Sequence, residues 1–118
     1  MFYSQKMKFK KKNFIVNLLT GKSVIGITLT PFGIYLRKDR FYDKVLRNHE
    51  SIHWKQQMEM LILPFYLWYL IEWFIRLFMK GDAYRNISFE REAFYYQRDE
   101  NYLSKRKKFT WLKFLKNN

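Results

Sequence analysis

The apolar positions change period along the chain, and each change marks a new element. Between residues 22 and 39 the strand formers Val24, Ile25, Ile27, Thr28 and Leu29 run up to Pro31-Phe32-Gly33, and Ile34, Tyr35 and Leu36 follow. Two such runs around a Pro/Gly turn predict a β-hairpin with strands over 24–30 and 34–37. Pro31 would supply a fixed φ in the turn and Gly33 a positive one. From residue 42 to 63 the period becomes helical: Val45, Leu46, His49, Ile52, His53, Gln56, Met60 and Leu63 recur three and four apart. Asp43 stands in the first turn, where a negative charge suits the helix dipole. Pro64 breaks or kinks this helix. Residues 65–79 are then almost continuously apolar, with Glu72 and Arg76 spaced to pair on one face. Gly81 suits the C-terminus of that helix. Ser88 suits the N-cap of another over 89–103, although Arg91 stands where a capping box would carry Glu or Gln. The pattern predicts an α+β fold, a hairpin followed by a mainly helical part.

One stretch of the helical stripe carries polar groups that call for chemistry. It is Asn48-His49-Glu50-Ser51-Ile52-His53-Trp54 and reads H-E-x-x-H. Four residues apart on a helix, the two imidazoles project from one face and can share one zinc ion. Glu50 is rotated about 100° from His49, too far round to be a natural ligand beside them but placed to take a proton from a water activated by the metal. These are the only two histidines in the 118 residues, and there is no cysteine. A zinc site in this chain therefore needs a carboxylate as its third ligand.

The best source is Phe89-Glu90-Arg91-Glu92-Ala93. With that segment downstream of H-E-x-x-H, and a strand pair ahead of it, the chain resembles the gluzincin-type zinc metallopeptidases, in particular small single-domain members and small bacterial proteins of this layout. The resemblance implies a small zincin-like domain that hydrolyses peptide bonds, with His49, His53 and Glu90 as ligands of Zn2+ and Glu50 as the general base. Glu90 is preferred to Glu92 because Ala93, on the same face one turn on, lets this helix approach the zinc helix closely. Glu92 is the alternative ligand, or a group that orients a histidine N–H. Tyr84, Arg85, Tyr95 and Tyr96 are candidate donors to the developing oxyanion. The hairpin edge suits an extended peptide substrate. Glu50-x-x-His53 also matches half of a di-iron motif, but the second half needs a third histidine.

Composition changes the picture at the ends and the surface. The net charge is +13, from 23 basic and 10 acidic residues, which favours anionic partners. Basic residues cluster at both termini, while aromatics, 21% of the chain, are densest in the nearly uncharged middle. That separation fits an anionic membrane surface better than a nucleic-acid stacking groove. The organisation read from it is a basic N-terminal arm (1–21), the zincin-like domain (22–104) and a basic amphipathic C-terminal helix (105–118). The arm resembles a signal peptide, but its apolar run is short and no small-x-small site follows closely, so it reads as uncleaved.

Residues 61–79 would make a helix about 28 Å long, near the thickness of a bilayer core. A straight crossing would leave His53 and Glu90 roughly 30 Å apart on opposite sides, whereas zinc ligands lie within about 2.2 Å of the metal. The run is therefore expected to return beside the zinc helix. The association expected is peripheral or monotopic, at the cytoplasmic face of a membrane. The alternatives are a soluble cytoplasmic domain with an aromatic core, and a non-catalytic zinc-binding or basic membrane- or nucleic-acid-binding module.

Overall fold

The computed structural model describes residues 7–116. Residues 1–6 of the expected basic arm and 117–118 of the expected C-terminal helix lie outside the described residues. The chain forms an α+β globule. In order come β1 (Phe9–Lys11), α1 (Phe14–Thr20), β2 (Gly26–Leu29), β3 (Gly33–Leu36) and a 3-10 turn at Lys38–Arg40. The helical part follows: α2 (Lys44–Glu59), α3 (Leu63–Arg76), α4 (Ala83–Asn86), α5 (Ser88–Tyr96), α6 (Tyr102–Lys105) and a 3-10 turn at Thr110–Phe114.

β2 and β3 form the expected hairpin, antiparallel, with Thr28 opposite Ile34 and Gly26 opposite Leu36. The turn closes with Phe32 N donating to Leu29 O at 2.7 Å, and its Thr30–Pro31 peptide is cis. The basic N-terminal stretch contributes more than an arm. β1 pairs in parallel with β3, giving the strand order β1-β3-β2. Gly33 permits that approach, since its φ is +155° and a Cβ would sit 3.1 Å from the Lys8 carbonyl oxygen. Phe9 packs against the Ile34, Leu36, Leu46, Trp54 and Met58 cluster, and the Arg47 guanidinium lies 4.4 Å from its ring centre. β2 is an edge strand among the described residues, with β3 as its neighbour.

α2 starts where Asp43 Oδ1 accepts from Leu46 N at 3.1 Å. It stops short of residue 63, and the break falls ahead of Pro64. Leu61 and Ile62 take positive φ values of 57° and 67°, and α3 leaves at 114° to α2. Pro64 stands in the first turn of the new helix, where its missing N–H costs nothing. No single helix among the described residues is long and apolar enough to cross a membrane.

Glu72 and Arg76 turn inward. Glu72 accepts from Ser88 N at 2.7 Å, from the Ser88 hydroxyl and from Trp68 Nε1 at 2.6 Å, and Arg76 donates to the Leu115 carbonyl at 3.2 Å. Ser88 is thus the first residue of α5 and not its cap; Glu72, from another helix, takes the orphan N–H there. α5 ends at Tyr96 because Asn48 Nδ2 collects the carbonyls of Tyr96, Gln97 and Asp99 at 3.3, 2.9 and 3.0 Å. The helix expected over 89–103 is thus two, α5 and a short α6, and the described part of the stretch 105–118, expected as one amphipathic helix, holds a 3-10 turn instead. Trp111 there is buried against Phe89, at 4.7 Å between ring centres.

Candidate metal centre

α2 brings His49 and His53 to one face with ring centres 4.9 Å apart. The ligand-capable atoms of His49, Glu50 and His53 all lie within 4.8 Å of one another, and all three side chains are buried. Glu90, in the first turn of α5, reaches the same point from across the domain. Its Oε1 lies 3.1 Å from His49 Nε2 and 3.0 Å from His53 Nε2. Ligand atoms on a tetrahedral zinc stand ~3.3 Å from one another. Glu90 Oε1 therefore stands near ligand spacing from each nitrogen, and two nitrogens with one carboxylate oxygen are donors such an ion takes.

Both imidazoles are aimed by glutamines. His49 Nδ1 lies 2.8 Å from Gln97 Oε1, and His53 Nδ1 2.8 Å from Gln56 Oε1. An amide oxygen only accepts, so each Nδ1 carries the proton and each Nε2 faces the site. Gln56 is itself fixed, because its Nε2 donates to Phe89 O and to Glu92 Oε1, both at 3.0 Å. Glu92 thus faces away from His49 and His53 and acts on His53 through Gln56. Its own oxygens are held by Arg106 and by Tyr102 Oη at 2.6 Å. Ala93 is fully buried beside Ile52, so α5 does approach α2 closely at that point.

Glu50 stands beside the His49–His53–Glu90 contact, with a ligand atom within 4.8 Å of those of His49 and His53. Its Oε1 accepts from the Thr28 hydroxyl of β2 at 2.8 Å, and the same hydroxyl reaches the Glu50 carbonyl oxygen at 2.9 Å. Gly26 makes room for it, since a Cβ there would lie 3.3 Å from Glu50 Cγ. All four polar side chains open into a cavity of about 840 Å³, walled by β2, α2, α3 and α5 and lined by Tyr66, Tyr69 and Tyr84 among others.

Tyr69 Oη donates to Glu90 Oε2 at 2.8 Å. Burial, then the Glu90 charge, pushes the Tyr69 and Tyr84 phenols well above their ordinary range, so both remain O–H donors. Arg85, Tyr95 and Tyr96 stand away from the cavity. Arg85 lies 4.0 Å over the Phe94 ring, Tyr95 packs on Tyr96 and Phe114, and Tyr96 stacks on Tyr102 at 3.8 Å.

Gln97, Tyr69 and Thr28 were not singled out by the sequence. They belong to other elements, and nothing in local pattern ties them to the histidines. Gln56 did carry a signal, as a polar residue on the apolar stripe of α2.

Burial alone would drive the His53 imidazolium to lose its proton, but the adjacent Glu90 carboxylate outweighs burial and holds the metal-free group up at about 9. The same contact holds Glu90 far below the usual carboxylate range despite its burial. A histidine raised from 6.5 to about 9 stabilises the folded state fully below 6.5 and loses that contribution as pH rises through 9. Metal-free protein is therefore expected to lose melting temperature between pH 6.5 and about 9, and His53→Ala to flatten that slope. Thermal unfolding in chelator across this range measures both.

Comparison with protein-family models, curated proteins and solved structures finds no match. What fold and site define is a small α+β protein with a buried His/Glu cluster able to hold a metal ion.

Proposed function

We propose that this protein is a zinc-dependent peptidase in which His49, His53 and Glu90 hold the ion and Glu50 is the general base. One observation carries the reading: Glu90 Oε1 stands 3.0 to 3.1 Å from both Nε2 atoms, while Glu50, beside them in the same cavity, has its Oε1 tied to the Thr28 hydroxyl. One carboxylate completes a ligand set and the other is kept for proton transfer. When bound, zinc polarises a scissile carbonyl and lowers the pKa of water toward ~7.

Glu50 takes the proton of the attacking water and passes it to the leaving amine. Tyr69 gives its O–H to Glu90 Oε2 and so positions that ligand, and Tyr84, whose phenol also stays protonated at the cavity, is the donor offered to an oxyanion. β2, an edge strand among the described residues, runs along the cavity wall; its Thr28 carbonyl already accepts from Gln57 Nε2 and Tyr66 Oη, so the main-chain groups it offers to an extended peptide are those around Gly26. Val24, Val45, Leu46 and Phe94 make the surrounding wall apolar, which favours apolar side chains in that peptide.

The test is metal content followed by cleavage of a mixed peptide library read by mass spectrometry. Wild type is expected to carry one zinc and to cut peptides until a chelator is added. His49→Ala should abolish stoichiometric zinc, and Glu90→Ala should weaken it at least about tenfold by removing one of three ligands. Full occupancy in Glu90→Ala would move the ligand role to Glu50, and a library left intact by zinc-loaded wild type would remove the peptidase reading.

A further inference from the structure

α3 has its polarity inverted. Its buried residues are Phe65, Glu72 and Arg76, and its outward stripe is Leu63, Leu67, Leu70, Ile71, Phe74 and Ile75. At about 100° per residue that stripe spans roughly 140° of the helix surface, centred opposite Glu72 and Arg76. Leu67 and Phe74 at its centre are 63% and 59% exposed. Trp68 and Trp73 flank the stripe on either side, each about two-fifths exposed. An apolar patch of this breadth on a monomer marks an interaction surface.

We propose that the outer face of α3 is immersed in one leaflet of an anionic membrane, with the helix axis lying in the membrane plane. Three features select lipid over a protein partner. The helix charges that lipid would reject are already satisfied inside: Glu72 by Ser88 and Trp68, Arg76 by the Leu115 carbonyl. The half-exposed tryptophans bound the stripe at the level where indole rings favour headgroups. The basic C-terminal segment is packed against α3, through Trp68 against Trp111 at 5.7 Å and Arg76 on Leu115, and the exposed Lys113 and Lys116 stand in that same segment. With a net charge of +13, the complement is an anionic headgroup layer. Fourteen residues make about 21 Å of helix, too short to cross a bilayer core and long enough to lie in it.

Flotation of the full chain with vesicles tests this, and it needs neither zinc nor hydrolysis, so its outcome is separate from that of the peptidase reading. Wild type is expected to float with vesicles of phosphatidylcholine mixed with phosphatidylglycerol, and far less with phosphatidylcholine alone. Bromine-labelled acyl chains should quench Trp68 and Trp73, and the paired Trp→Phe change should remove that quenching. Leu67→Glu with Phe74→Glu should lower the partition coefficient at least about a hundred-fold. Both sites are exposed, so zinc content and circular dichroism should stay unchanged. Three results would each overturn the proposal: no flotation with either vesicle, flotation untouched by the double change, or a wild-type dimer that the double change dissociates without any lipid binding. Equal flotation with both vesicle types would overturn its electrostatic half.

Discussion

Replacing Glu50 by glutamine is expected to lower peptide hydrolysis by about two to four orders of magnitude while the protein still folds and binds one zinc. The amide keeps the shape of the carboxylate, and its oxygen can still accept from the Thr28 hydroxyl, so the β2–α2 contact survives. What it loses is the ability to take a proton. Removing the buried charge takes one of two carboxylates from beside His53, but Glu90 remains on that imidazole at 3.0 Å and the donor on Glu50 Oε1 is a neutral hydroxyl, so no cation is orphaned. Steady-state cleavage of a peptide from the library, with metal content of the same sample, separates base from ligand. A fall in zinc with Glu50→Gln would make Glu50 a ligand and leave the base to be found elsewhere. A rate within a few-fold of wild type would remove it from the mechanism.

Arg106→Met should cost about 3–5 kcal/mol of stability. Arg106 reaches Glu59 through Nη1 at 2.9 Å and Nη2 at 3.0 Å, and Glu92 through Nε at 2.5 Å and Nη2 at 3.0 Å. All three side chains are almost wholly enclosed, so the change leaves two buried carboxylates facing neutral donors, Tyr102 Oη and Gln56 Nε2 on Glu92 and Phe109 N on Glu59. The effect should reach the metal. Glu92 holds Gln56, Gln56 holds His53 Nδ1, and loosening such a support costs about 10–100-fold in metal affinity. Denaturant unfolding measures the first effect and chelator competition for zinc the second. Replacing Arg106, Glu59 and Glu92 together by apolar residues should restore much of the stability but not the affinity. Recovery of both would reduce the network to a structural role.

How much of this was legible in the sequence follows the range over which each feature is decided. The hairpin and the histidine helix rest on periods of two and of three to four residues, and both were predictable. Glu90 stood out because it was one of two carboxylates in a helical segment with a small residue one turn on. Features settled by distant partners were hidden. β1 lies in a lysine-rich stretch, and only its pairing with β3 makes a strand of it. The end of α5 depends on Asn48, nearly fifty residues earlier, collecting three carbonyls. Gln97 meets His49 only because that capture bends the chain back. The turn between α2 and α3 was assigned to Pro64, whereas the backbone reverses at Leu61 and Ile62, two residues with no turn propensity of their own.

The hydrogen bonds from Ser88 to Glu72 tie the apolar-faced helix to the segment that carries Glu90. Glu72 sits on the inner side of the helix whose outer side is apolar, and Ser88 opens the turn that carries Glu90 two residues later. α3 cannot roll about its axis without either giving up those bonds or dragging the start of α5 with it. Two hydrogen bonds and two residues of helix are thus all that separate the inner face of the apolar-faced helix from the carboxylate between the two imidazoles, like a short axle between the rim of the domain and its hub.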